Sequence, residues 1–361
     1  MKKNRFYIYI LLIFFIISIN SIYSFSSFIT ENTYNLVIRQ TCFYVAGIII
    51  IIILLKINPL KIMKYSFYIY ALNVILLLLV LFIGKEVNGA KAWFYIPVIG
   101  TLQPSEFMKI GLILFIAKII DKHKINSLKD EFLLIIKIFI VLIIPSFLTF
   151  LEPDTGAVFI YFIIAFTMLF VSKIRLRWFI ILLFIILSIG LIFFYLYIFK
   201  TNLFIKIFGS SMFYRLDRIF DWKSSSGLQL ENSIITIGSC GLIGNGINEI
   251  LLYFPEGHTD FIFTSIASIY GLVGMFVLIS TIIAFDTSLV LINTKERSYK
   301  YIITGTCGAL FYQQVQNISM TVGLMPITGI TLPFISYGGS SIISYMILLG
   351  IILSIRKYSS T

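Results

Sequence analysis

Residues Tyr253 to Ser265 read YFPEGHTDFIFTS and set Glu256, His258 and Asp260 on alternate positions directly before an apolar run. Carboxylates and imidazoles move protons near neutral pH, and beside hydrocarbon they must face water, each other or a ligand. A second group lies in GAKAWFYIPVIGTLQPSEFMK, which supplies Lys91 and Trp93, then Pro104 at a helix start. Glu106 and Lys109 follow, three apart on one helical face, and suit either a functional pair or a neutralising salt bridge. In LEPDTGA, Asp154 before Gly156 fits a site residue and a helix cap equally. The stretch GITLPFISYGGSS, with Ser336, Gly338 and Gly339, is broken by Pro and Gly. Such backbone is tolerated at membrane depth only when buried in protein or lining a cavity. Together these groups predict one polar cavity.

The elements that must hold them are membrane helices. Of 361 residues 59% are hydrophobic and only 12% charged, and mean hydropathy is +1.00, which excludes an ordinary soluble domain. At roughly 20 residues per span, apolar runs predict an all-α polytopic protein of about ten helices. They fall at 6–24, 40–56, 65–84, 104–121, 132–151, 156–172, 178–198, 261–291, 301–322 and 338–355. No small-residue cleavage pattern closes the first run, so it reads as a retained anchor.

The net charge of +12 could suggest nucleic acid, but its placement indicates topology instead. Lysines and arginines cluster around residues 2–5, 56–64, 118–129, 173–177, 295–300 and 356–357, all on one side when the spans alternate. By the positive-inside rule both termini are cytoplasmic. One loop is long, about 199–260 between the seventh and eighth spans, and this topology makes it extracytoplasmic. Its first half carries Arg215, Arg218 and Lys223 and its second half Glu231, Glu249, Glu256 and Asp260. That layout suits an anionic ligand meeting a catalytic carboxylate, or a solvated hairpin with local ion pairs. Cys42, Cys240 and Cys307 lack paired spacing and read as apolar filler rather than disulfides or zinc ligands.

Six ordered stretches, GAKAW, QPSEFMK, EPDTG, NSIITIGSCGLIGNG, PEGHTDFIF and GITLPFISYGGSS, resemble the SEDS family (shape, elongation, division and sporulation). HTDFIF is more similar to its RodA branch than to its FtsW branch. The resemblance implies one ten-span domain over 1–361 in the cytoplasmic membrane. It implies a peptidoglycan glycosyltransferase that polymerises lipid II into nascent glycan beside a class B penicillin-binding protein, within elongation, division or sporulation complexes. Asp260 matches the family's catalytic carboxylate and would act as general base while undecaprenyl diphosphate leaves. Lys91, Lys109, Arg215 and Arg218 are the candidate cations for the diphosphate. Trp93, Glu106, Asp154, Glu256, His258, Ser336, Gly338 and Gly339 complete the expected substrate site. No tightly bound cofactor is expected, though a magnesium or manganese ion could bridge diphosphate and carboxylate. Ala92, Ala157 and Asn245 depart from the usual pattern, and Ser268 and Ile269 stand where relatives usually show two glutamates. A lipid II transporter would also want charge in a broken-helix cavity, and a non-catalytic scaffold for the penicillin-binding protein is the third reading.

Overall fold

The protein is described from a computed structural model covering residues 2–25, 33–87, 90–97, 100–209, 213, 227–247, 249–250 and 252–359. Arg215 and Arg218 lie outside the described residues. Among those described the chain forms thirteen helices and three short strands. In order these are α1 (Lys2–Phe25), α2 (Thr33–Leu54), α3 (Pro59–Lys64), α4 (Ser66–Ile83), β1 (Lys85–Val87), β2 (Ala90–Ile96) and β3 (Gly100–Leu102). Then follow α5 (Pro104–Lys122), α6 (Leu128–Leu151), α7 (Thr155–Val171), α8 (Leu176–Phe199), α9 (Thr201–Phe208) and α10 (Gly227–Ser239). The chain ends with α11 (Ile262–Val290), α12 (Arg297–Thr321) and α13 (Gly339–Ser359).

Each predicted apolar run coincides with one long helix, and seven of these, α1, α2, α4, α6, α8, α11 and α13, are long and apolar enough to cross a membrane. The other three differ for a physical reason. Helix α7 is apolar but has 17 residues, whereas α5 and α12 carry Glu106, Lys109, Gln313, Gln314 and Asn317. These side chains turn into the bundle, where α5 packs against α4, α6, α7, α12 and α13, so its outer surface need not be lipid-like. Local signals set the helix ends. Ser127 and Asp130 form a capping box on α6, Pro104 opens α5, and Asp154 caps α7 by accepting from the Ala157 amide at 3.0 Å.

Two segments read as loops are ordered. Residues 85–102 form an antiparallel meander, β1–β2–β3, with Lys85 opposite Trp93 and Tyr95 opposite Thr101. This adds a local exception to the all-α expectation: the strands are three to seven residues long, and AKAWFYI has no apolar–polar alternation to announce one beside helical runs. Helix α10 buries Leu230, Ser233 and Thr236, and the Ser233 hydroxyl bonds Thr264 Oγ1 at 2.6 Å and the Thr321 carbonyl at 2.8 Å. This half of the long loop is therefore packed onto the bundle.

Helix α11 is broken at Gly271, whose φ of 64° and ψ of −162° leave the helical region. The segment 241–246 adopts the freed backbone groups. Leu272 and Val273 amides donate to the Gly241 and Leu242 carbonyls, and Asn245 and Gly246 amides donate to those of Ser268 and Ile269, at 2.8–3.2 Å. A side chain at Gly271 would meet the Gly244 amide nitrogen at 2.3 Å, and one at Gly244 would meet the Ile269 carbonyl oxygen at 2.3 Å. Both positions need glycine. Three of the five departures noted in the sequence, Asn245, Ser268 and Ile269, meet at this joint, with Asn245 Nδ2 3.5 Å from Ser268 Oγ.

Candidate active site

A cavity of about 480 Å³ opens at the end of the bundle that carries the meander. Helix α2 contributes Leu36, Arg39 and Phe43, one helical face. The meander adds Lys85, Trp93 and Tyr95, α5 adds Glu106, and the start of α7 adds Asp154. The turn before α11 supplies Glu256, His258 and Asp260, and the broken stretch before α13 supplies Gly329, Gly338 and Gly339. Eight of the residues singled out in the sequence thus meet around one space: Trp93, Glu106, Asp154, Glu256, His258, Asp260, Gly338 and Gly339.

The Asp260 turn is held from behind. Asn317 Nδ2 donates to the Asp260 carbonyl at 2.8 Å and to that of Ile330 at 2.7 Å. The Ser336 hydroxyl donates to the Thr259 carbonyl at 2.6 Å and accepts from the Leu332 amide at 2.8 Å. The Tyr337 amide donates to the His258 carbonyl at 2.9 Å. Ser336 is therefore buried beneath the turn as a strut rather than on the cavity surface. The stretch carrying these struts reaches deep into the bundle, where Phe334 packs on Phe14, Phe285 and Tyr345 and its carbonyl accepts from Tyr44. With its backbone fixed, the half-buried Asp260 carboxylate faces the cavity. Burial, then the Glu256 and Asp154 carboxylates, push its pKa from 3.8 up to about 7. The Glu256 carboxylate accepts from Thr259 Oγ1 at 2.6 Å.

Asp154 is saturated by its cap bond and by Gln103 Nε2 at 2.9 Å and Ser105 Oγ at 3.0 Å, so it organises the wall as well as lining it. Burial still raises its pKa, against the Ala157 and Ser105 bonds that lower it. Two residues away, Glu152 is fully buried with neither carboxylate oxygen hydrogen-bonded among the described residues. Burial and then Asp154 push its pKa up to about 9.

The cations are redistributed relative to the sequence expectation. Lys109 is buried behind Glu106, bonding its carboxylate at 2.6 Å, Gln313 Oε1 and Tyr345 OH at 3.3 Å, and lying 4.5 Å from the Tyr345 ring centroid. Its charge is consumed by the pair. Lys91 turns back to donate to the Phe82 carbonyl at 2.9 Å and does not line the cavity. Arg39 and Lys85 line it instead. Neither was singled out from the sequence, although an arginine within the apolar run NLVIRQTCF was a signal. No three His, Cys, Asp or Glu side chains converge as a metal cage among the described residues.

The profile of the cell cycle protein family FtsW/RodA/SpoVE matches residues 4–361. Curated relatives include a probable peptidoglycan glycosyltransferase FtsW of Coxiella burnetii, 33% identical over 82% of this chain and 80% of its own length. That of Lactococcus lactis is 30% identical over 94% of this chain and 90% of its own. Among solved structures, a chain from a peptidoglycan synthase complex that coordinates polymerization and crosslinking aligns with a TM-score of 0.79. It is 25% identical and covers 98% of this chain and 97% of its own. The rod shape determining protein RodA of Thermus thermophilus shares the fold with a TM-score of 0.70 at 24% identity, covering 98% of this chain and 96% of its own.

Proposed function

The chain belongs to the FtsW/RodA/SpoVE family, and from that premise we propose that it is a peptidoglycan glycosyltransferase that polymerises lipid II with Asp260 as general base. The observation that carries this reading is the Asp260 carboxylate facing a cavity that also holds two cations, Arg39 and Lys85. In the reaction a sugar 4-hydroxyl attacks the anomeric carbon of a lipid-linked sugar. The new glycosidic bond forms as the bond to the diphosphate breaks, the hydroxyl proton passes to Asp260, and undecaprenyl diphosphate departs. The leaving group is already good, so the protein must chiefly supply a base and positive charge. A positioned base contributes about 10²–10⁴ in rate, most when its pKa lies near the working pH, which suits a carboxylate at about 7.

Arg39 and Lys85 are placed to meet the diphosphate, and Trp93 offers a ring face for a sugar. Lys109 acts through Glu106, holding it in the wall. Among the described residues the donor set does not build a cage for a resident magnesium or manganese ion, so no step is assigned to one. With the cavity at the outer membrane surface and both termini cytoplasmic, lipid II enters from the bilayer and glycan leaves on the outside. A class B penicillin-binding protein is the partner that would crosslink the product.

Purified protein given labelled lipid II should form glycan polymer, and Asp260→Asn should lower the rate at least about 100-fold. Polymer formation by Asp260→Asn at the normal rate would remove the base. Lipid II translocation by both proteins without polymer would establish a transporter, and binding of a penicillin-binding protein without either activity a scaffold.

A further inference from the structure

The β1–β2–β3 meander has two unlike faces. Ala92 is buried and Phe94 half-buried, and the strand that carries them packs on α4 and α5. The alternate residues of that strand, Trp93 and Tyr95, point the other way. Directly across from them stand Lys85 and Thr101, and residues opposite each other in an antiparallel pair share a face. Lys85, Trp93, Tyr95 and Thr101 therefore form one patch, and all four line the Asp260 cavity. Lys85, Tyr95 and Thr101 are nonetheless exposed, which puts the patch where the cavity opens. It is also fixed to the catalytic wall. The Gln103 amide donates to Ser340 Oγ at 2.9 Å, the Ser340 hydroxyl donates to the Thr101 carbonyl at 3.4 Å, and Ser340 directly follows the Gly338–Gly339 pair.

The chemistry of this patch is that of a carbohydrate site. A sugar presents C–H groups on its faces and hydroxyls around its edge, so it needs flat apolar rings beside hydrogen-bonding groups. Trp93 and Tyr95 lie about 7 Å apart along the strand, the scale on which successive rings follow in a 1,4-linked chain of sugars. The Lys85 ammonium stands 5.4 Å from the Tyr95 ring centroid and steadies that ring, yet Tyr95 is still 63% exposed. A lipid chain has no use for Thr101 or Lys85, and a membrane-anchoring aromatic would turn away from the cavity instead of lining it. The polymerase reading, on which this step rests, already places the diphosphate by Lys85 and a sugar on Trp93. Tyr95 and Thr101 are the next positions along the same face. We infer that this face of the meander is a track for the nascent glycan, with Tyr95 seating the sugar that follows the one on Trp93 and the Thr101 hydroxyl bonding the strand as it leaves. A strand held there between additions is not lost to solvent, so the meander makes polymerisation processive.

The test is strand length. Full-length protein is given labelled lipid II, then an excess of unlabelled lipid II, and the labelled products are sized on a gel. Wild type should carry its labelled strands into long polymer through the chase. Losing one aromatic contact releases a ligand roughly two- to tenfold faster, so Tyr95→Ala should shorten the labelled strands by about that factor while lipid II consumption falls less. Tyr95→Phe, which keeps the ring, should restore their length. Phe82→Ala removes an exposed aromatic of α4 outside the cavity and should leave length unchanged. Circular dichroism melts check that the variants fold. A photoreactive benzoylphenylalanine in place of Thr101, illuminated during synthesis in native membranes, should capture glycan, and it carries the test if Tyr95→Ala does not fold. Full-length strands from folded Tyr95→Ala, equal shortening by Phe82→Ala, or capture of a phospholipid or a protein at position 101 overturns the inference and leaves the polymerase reading standing. No polymer from wild type overturns both.

Discussion

If Asp260 is the base, the acidic limb of the pH–rate profile belongs to it, and Glu256 sets part of its position. The Asp260 carboxyl has moved from 3.8 to about 7, with burial the first cause and Glu256 the second. Glu256 therefore accounts for less than half of that rise. Glu256→Gln should lower the midpoint of the limb by roughly one pH unit, and by no more than about 1.5. The sign follows from the charge: an ionised neighbour disfavours a second carboxylate, and removing it lets Asp260 ionise earlier. At pH 6 a base with a pKa of about 7 is roughly one-tenth ionised, and one at about 6 is roughly half ionised. Relative to its own plateau, the variant should then run about fivefold faster at pH 6 than wild type. The assay is kcat/KM for lipid II polymerisation between pH 5 and 8.5, which reports groups on the free enzyme. Because Glu256 also lines the cavity, the plateau can fall without bearing on the reasoning. A midpoint that stays put or climbs in the variant, or a wild-type profile flat across the range, refutes it.

Other perturbations follow from the same geometry. Glu152, raised to about 9 and fully buried, keeps its proton when folded at pH values where the unfolded chain has lost it. Its contribution to stability is complete below about 4.5, declines as pH rises toward 9 and is flat beyond, with a slope of up to about 1.4 kcal/mol per pH unit. Glu152→Gln should remove that slope, so melts that match at pH 5 should favour the variant at pH 8.5. Glu106→Gln leaves the Lys109 ammonium buried without its counter-charge and should cost about 3–5 kcal/mol in thermal or denaturant unfolding. Ser268→Glu alone places a charge at a fully buried position and should lower the melting temperature, and adding Asn245→Lys should restore much of it.

Much of this architecture could be read from the chain, because helices that touch lipid must be apolar and the runs declare themselves. Convergence of Trp93, Asp154, Glu256, Asp260 and the Gly338–Gly339 pair was legible too, since polar groups at one level of a bundle have few places to go. What escaped depends on side-chain direction. Lys91 lies on the same strand face as Trp93 and Tyr95, yet its long stem carries the ammonium back to the Phe82 carbonyl. Lys109 follows Glu106 by one helical turn, which brings the two together at 2.6 Å but points the lysine into the core. Spacing announces such a pair without saying which member meets the ligand. Arg39 and Lys85 were passed over because neither stands in one of the stretches that carried the site motifs. Asn317 sits 57 residues from the Asp260 carbonyl it holds, a contact that only the folded chain creates.

The break at Gly271 has a mechanical consequence. The short helical piece between Asp260 and Gly271 is joined to the rest of α11 through a single residue of unwound chain, and segment 241–246 splints the gap with four backbone hydrogen bonds. Lifting that splint would leave those amides and carbonyls without partners, at about 1–3 kcal/mol for each that is buried. Splint and helix head therefore travel as one body. A push on residues 241–246 arrives at the Asp260 carboxylate as displacement rather than being absorbed in the loop.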